Sequence, residues 1–279
     1  MNIKIIADSL SDIPVDIAAR FDIEVIPLVI IFDDEQYLDG VELTQAQMYE
    51  KIESCGKLPK SSQVTPQRFE DVFRKYLDMG KDIIYIGSSS NATGTFRSAQ
   101  LAKNNMESDK IHILDTMLLS YACGMIVVEA AKMSENGKAV GEILEMAEEM
   151  KTKVGCIFTV DTLEYLKRGG RLSATKAVIG TILNVKPLLT LEDGIVKHMK
   201  NVRGTKKAID EIIDTVIKEA GELPKGLVIS HGSNSKIFEK LKAAISKKMG
   251  LENVIETDIG AVTGIHTGPT VAAVFYLKK

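Results

Sequence analysis

The chain has 279 residues, 45% of them hydrophobic and 26% charged, with a formal net charge of −3. That composition excludes a disordered chain and argues against nucleic acid as a partner, while the length allows two domains of ordinary size. No apolar run reaches the roughly 18 residues that cross a bilayer, no signal-peptide core follows the N-terminus, and Cys55, Cys123 and Cys156 form no Cys/His ligand pattern; a cytoplasmic protein with no metal site is expected.

The first half reads as alternating strands and helices. Ile3 to Ala7 predicts a strand, Asp12-Ile13-Pro14 opens a helix through Arg20, and Glu24 to Phe32 predicts a second strand, a βαβ beginning. Thr44 can cap a helix to Ser54, and Thr65-Pro66 opens another to Leu77, stopped by Gly80. Strands follow at Ile83 to Ile86 and Ile111 to Leu114, then a helix from Leu118 to Lys132 that is apolar on most sides and hence central. After the Ser134-Glu135-Asn136-Gly137 break, a charged helix runs from Val140 to Met150, and a domain boundary is expected near residue 150.

The second half has a mixed rhythm. Val154 to Val160 predicts a strand, Asp161 caps a short helix through Lys167, and Thr175 to Leu183 is helical. Pro187 to Leu191 and Ile195 to Met199 flank Glu192-Asp193-Gly194, a hairpin signal. A helix after Gly204 to Ala220, a strand Leu227 to Ser230, a helix Lys236 to Met249 and a strand Val254 to Thr257 complete the layer. Ile259 to Pro269 reads as a Gly/Thr loop carrying His266. The expected fold is α/β, with a parallel-sheet α/β/α domain at 1–150 and a mixed-sheet domain at 151–279.

Chemistry concentrates in a few segments. Residues 87 to 95, Gly-Ser-Ser-Ser-Asn-Ala-Thr-Gly-Thr, join a strand to a helix and offer hydroxyls and free backbone amides at the carboxyl edge of a sheet. That is an oxyanion site by residue type, and equally an N-cap with a turn. Lys167-Arg168-Gly169-Gly170-Arg171 sets cations around a tight glycine turn, whereas Lys206-Lys207 and Lys247-Lys248 read as solvated helix faces. Neither a phosphate-binding loop nor a dinucleotide fingerprint nor a nucleophile elbow is present, which removes a self-contained kinase and a Rossmann dehydrogenase and leaves His231-Gly232-Ser233 as a weak hydrolase candidate.

Five ordered segments carry a resemblance. They are Ile6-Ala7-Asp8-Ser9 with Asp12-Ile13-Pro14, Lys60-Ser61-Ser62-Gln63 with Thr65-Pro66, Thr93-Gly94-Thr95-Phe96, Leu163 through Arg171, and Gly264 to Pro269. Over its whole length the chain resembles the DegV family of bacterial fatty-acid-binding proteins. The resemblance implies two α/β domains with a long-chain fatty acid between them, presented to a separate ATP-dependent fatty acid kinase that makes the acyl phosphate. It further implies carboxylate binding by Ser61, Ser62, Thr93, Gly94 and His266, and kinase or transient membrane contact by Arg171 and Arg203, with no catalytic residue and no cofactor beyond the bound lipid. Ser61 stands where the family usually has Thr, Thr93 where it usually has Ser, and Val64 where it usually has Pro; the hydroxyls survive, so head-group tilt rather than binding is what these departures affect. A binding protein for another amphiphilic carboxylate or lipid is the alternative.

Overall fold

The computed structural model describes residues 2–172, 184–221, 226–250 and 254–279. In chain order, β1 (Ile3–Asp8) ends in a 3-10 turn (Ser9–Ser11) and leads to α1 (Val15–Arg20). Next come β2 (Glu24–Ile26), β3 (Val29–Phe32), β4 (Glu35–Leu38), α2 (Gln45–Cys55) and β5 (Lys60–Ser62). The first half closes with α3 (Pro66–Asp78), β6 (Asp82–Gly87), α4 (Thr95–Met106), β7 (Ile111–Asp115), α5 (Tyr121–Glu135) and α6 (Val140–Lys153). The second half contains β8 (Val154–Thr159), α7 (Glu164–Arg168), β9 (Val185–Glu192), β10 (Ile195–Arg203) and α8 (Thr205–Ala220). It ends with β11 (Val228–His231), α9 (Lys236–Met249), β12 (Ile255–Asp258), α10 (Ala261–Thr267) and β13 (Ala272–Leu277).

The N-terminal part is built on a parallel sheet ordered β2-β1-β6-β7, and the C-terminal part on a mixed sheet ordered β10-β9-β8-β13-β11-β12. Both sheets are covered on two faces, so their strands read as continuous apolar runs. Ile5, Ala7, Ile84 and Ile86 face α5, while Ile6, Ile83 and Tyr85 face α3 and α4. In the mixed sheet Cys156, Phe158, Ala273 and Phe275 face α5 and Ile157, Val274 and Tyr276 face α8 and α9, the period-2 alternation of a pleated strand. Helix α5 therefore lies between the sheets, and eleven of its fifteen residues are buried.

Four expectations change. Glu24 to Phe32 is two strands rather than one, because Pro27 interrupts the ladder and β3 turns away to pair with β4 and β5 in a separate three-stranded sheet. Asp12-Ile13-Pro14 does not open a helix directly: Asp12 sits in the left-handed region at φ 47° and closes the 3-10 turn, and α1 starts after Pro14. Asp161 caps nothing; it ion-pairs with Lys186, and α7 begins at Glu164. The Gly/Thr segment after Ile259 is a helix, α10, rather than a loop. The helix expected at Thr175 to Leu183 falls outside the described residues. Thr44 does cap α2, reciprocally with Gln47, and Thr65 caps α3 with Pro66 in its first turn.

Candidate functional site

The carboxyl ends of β1 and β6 meet at Asp8. This fully buried carboxylate accepts hydrogen bonds from the Tyr85 hydroxyl at 2.7 Å, the Leu10 N–H at 3.0 Å, and the Ser88 N–H and hydroxyl at 3.2 Å each. Burial raises its pKa above the ordinary carboxylate value, and the four donors oppose that shift. Asp8 thus pins the start of the hydroxyl-rich loop to the sheet. Farther along, Thr93 donates its N–H to the Ser89 carbonyl at 3.1 Å, and its Oγ1 accepts the Thr95 N–H at 3.2 Å. Thr93 Oγ1 also lies 3.0 Å from the Thr95 hydroxyl, with either oxygen able to donate; where Thr95 donates, Thr93 keeps its own proton for the cavity it lines.

A cavity of about 350 Å³ opens beyond this loop, between the parallel sheet's carboxyl edge, β5, α7 and α10. Its polar end brings together Ser61 and Ser62 of β5, Thr93 and Gly94 of the loop, and His266 of α10. Ser61 Oγ lies 3.1 Å from His266 Nε2. Burial, reinforced by the Arg171 guanidinium, pushes the His266 imidazole down to about 4, so the ring is neutral at physiological pH. His266 Nδ1 is buried with no hydrogen-bond partner. A proton on Nδ1 would be an orphaned buried donor, rarer than an under-used acceptor, which favours the tautomer in which Nε2–H donates to Ser61. The Ser61 hydroxyl is then free to donate into the cavity.

Two glycines make the close approaches possible. A Cβ on Gly94 would fall 1.7 Å from Gln63 Oε1, whose amide nitrogen holds the Ser98 hydroxyl at 2.9 Å. A Cβ on Gly169 would fall 2.2 Å from His266 Nδ1. Gly169→Ala should therefore displace the imidazole and cost about 2 kcal/mol through overpacking. The check is the His266 ring resonances together with thermal melting; unshifted resonances would remove Gly169 as the ring's backstop.

Arg171 lies at the exposed rim. Its Nη1 donates to the Gly169 carbonyl at 2.5 Å and its Nε to the Ala92 carbonyl at 3.4 Å, so it spans from the α7 turn to the hydroxyl loop. Arg203 is not brought to the cavity: it ends β10, on the order of 20 Å along the strand from the cavity-lining Val196. His231 is also elsewhere, at the end of β11 with its ring against Phe238, and no metal-binding cluster occurs among the described residues.

An inner apolar compartment of about 50 Å³ adjoins the first and shares Leu119, Val196, Thr263 and Thr267 with it. Phe158, Phe275 and Ala273 of the mixed sheet form its far wall. Thr263 and Thr267 were not expected at the site; with His266 they fall at i, i+4 and i+3, one face of a helix, a spacing legible only once the segment is helical.

The family model described as an uncharacterised protein of the DegV family matches residues 2–279. A DegV domain-containing protein of Caldanaerobacter subterraneus subsp. tengcongensis is 37% identical over 281 residues, covering 99% of each chain. The solved structure of a fatty-acid-binding DegV family protein from Thermus thermophilus aligns with a TM-score of 0.89 at 30% identity, covering 100% of both chains. That of DegV, a fatty acid binding protein from Bacillus subtilis, aligns at 0.88 with 31% identity and the same coverage.

Proposed function

The chain belongs to the DegV family, and we propose that it binds a long-chain fatty acid, head group at the Ser61–His266 end of the cavity and tail toward the inner apolar compartment. The observation that carries this reading is the polarity gradient: hydroxyls and a neutral imidazole cluster at one end, and Phe158, Ala273 and Phe275 close the other. Burying a dozen methylenes at roughly 0.8 kcal/mol each supplies on the order of 10 kcal/mol before ordering costs, against roughly 1.5 to 3 kcal/mol for each hydrogen bond to the carboxylate. The tail holds and the head orients. Residues 1–150 supply the Ser61 and Thr93 segments of the head-group end, and residues 151–279 supply His266 and the wall that closes over the ligand.

Ser61, Thr93 and the neutral His266 orient the carboxylate without forming an ion pair with it, with Ser62 and Gly94 completing its surroundings. A carboxylate so held keeps its charge on oxygen and remains a nucleophile toward the γ-phosphorus of ATP. We assign the ATP to a separate fatty acid kinase subunit, in the cytoplasm. Attack of the carboxylate oxygen there yields the acyl phosphate and ADP; Arg171, at the rim, and Arg203 are the residues assigned to the kinase or to a transient membrane surface.

Native mass spectrometry of protein purified from a bacterial host tests the reading, because it names the bound mass without presupposing a class. One fatty acid per chain is expected. Protein that stays empty after incubation with long-chain fatty acids, yet binds an unrelated metabolite tightly, would overturn it.

A further inference from the structure

Helix α10 carries Thr263, His266 and Thr267 to the cavity, yet much of its anchorage comes from residues some two hundred positions earlier in the chain. Asp39 sits against the backbone N–H groups of Ala261 and Val262, the first two residues of the helix, which favour its ionised form, and accepts the Ser9 hydroxyl at 2.7 Å. Asp12 accepts the Thr263 hydroxyl at 3.0 Å and the Ser120 hydroxyl at 2.6 Å, with the Gly260 backbone packed against it. Tyr49 and Gln45 of α2 reach the carbonyls of Gly264 and Ile259. Both carboxylates are nearly inaccessible, at 7% exposure for Asp12 and 4% for Asp39.

The fit is over-determined in a way that a mere surface cap is not. Only glycine lets Asp12 approach, since a Cβ on Gly260 would lie 2.4 Å from Asp12 Oδ1. Asp12 itself and its partner Ser120 both hold positive φ, 47° and 56°, a conformation unfavourable for a non-glycine residue that persists where surrounding contacts enforce it. A seven-residue helix is too short to be stable alone, so these contacts decide where it sits.

We infer that Asp12 and Asp39 are positioning residues that hold the N-terminus of α10 and thereby set His266 against Ser61. Asp39 supplies most of the hold, because it sits against the first two backbone N–H groups at the positive end of the helix. Asp12 sets the rotation, because its bond to Thr263 fixes which face turns to the cavity. Neither carboxylate lines the cavity, so they act on a ligand only through α10.

The test uses the full chain with Asp39→Ala, Asp39→Asn and Asp12→Ala, and reads modification of each histidine by diethyl pyrocarbonate with peptide mass spectrometry. Asp39→Ala is expected to raise the rate at His266 about tenfold while leaving His112 and His231 at wild-type rates; Asp39→Asn, which keeps an acceptor of the same shape, should restore most of the protection. Asp12→Ala should give a smaller rise at His266 alone. Equal acceleration at His112, His231 and His266 would show general destabilisation and overturn the positioning role, as would wild-type protection of His266 in Asp39→Ala. A second arm measures dissociation of a bound fatty acid, expected to be several-fold faster in Asp39→Ala and unchanged in an Asp16→Asn surface control. That arm rests on the fatty-acid reading. If wild-type protein holds no fatty acid, that reading fails while the His266 arm still decides the inference; if fatty acid binds and dissociates at one rate in all variants, α10 placement does not govern the ligand and the inference falls in part on its own.

Discussion

Asp12→Asn should make the protein relatively more stable as pH rises. Burial pushes the Asp12 carboxyl up to about 8, with the neighbouring Asp39 charge adding to the rise and the Ser120, Thr263 and Gly260 hydrogen bonds opposing it. The unfolded chain has this group near its ordinary value of 3.8. Between those values the folded state binds the extra proton, so the contribution to stability is fully present below the unfolded pKa and is lost as pH rises through the folded one. The slope approaches about 1.4 kcal/mol per pH unit. Asparagine mimics the protonated form and cannot lose that proton. Comparing urea denaturation of variant and wild type at two pH values three units apart inside the window, the difference between them should move in favour of the variant by up to about 4 kcal/mol. Parallel stability curves would show that Asp12 is not protonated in the native state.

A second large effect is expected at the other end of the cavity. Ala273 lies on β13 beside Phe158 of β8 and walls the inner compartment of about 50 Å³. Ala273→Leu adds three carbons directed into that space. On the acyl-tunnel reading this displaces about three terminal methylenes of a long ligand, worth roughly 2.4 kcal/mol or about 50-fold in affinity. A shorter acid that ends before the obstruction keeps its affinity. Competition between acids of different length, read by native mass spectrometry, should therefore shift toward the shorter, with the melting temperature of the ligand-free protein close to wild type. An unchanged length distribution would place the tail elsewhere.

How much of this was legible depends on where each signal resides. β1 and β6 are clear in the sequence because a sheet buried on both faces needs unbroken apolar runs, and Ile3–Asp8 and Asp82–Gly87 supply them. β4 and β5 are not, since Glu35–Leu38 and Lys60–Ser62 are short and largely polar and become strands only by pairing with β3. α10 reads as a loop because Gly260, Gly264 and Gly268 punctuate it; its contacts with Asp12 and Asp39, distant in sequence, are ones no local pattern can display. Ser61, Thr93 and His266 are separated by 32 and 173 positions, and no periodicity links them; family motifs pointed to them, and the geometry brings them to one cavity. Gln63 belonged to the same motif, but its role in seating Gly94 depends on the missing Cβ and was invisible in the sequence.

The position of α5 restricts how anything can get in or out. Its buried face includes Tyr121, Met125, Ile126, Val127 and Val128, packed in one apolar cluster with residues of both sheets. Swinging the sheets apart as rigid halves would wet several of these side chains at roughly 1.5 to 3 kcal/mol each, on the order of 10 kcal/mol in all, a state populated about once in ten million molecules. A clamshell is therefore excluded as a working motion. What lies outside that cluster is the small ironwork at the rim, the glycine turn Gly169-Gly170 and the exposed Arg171 strap with its two carbonyl bonds, whereas α7 is anchored in the cluster by Leu166. If the cavity takes a fatty acid as proposed, its traffic would turn on that latch, with the frame around it staying shut.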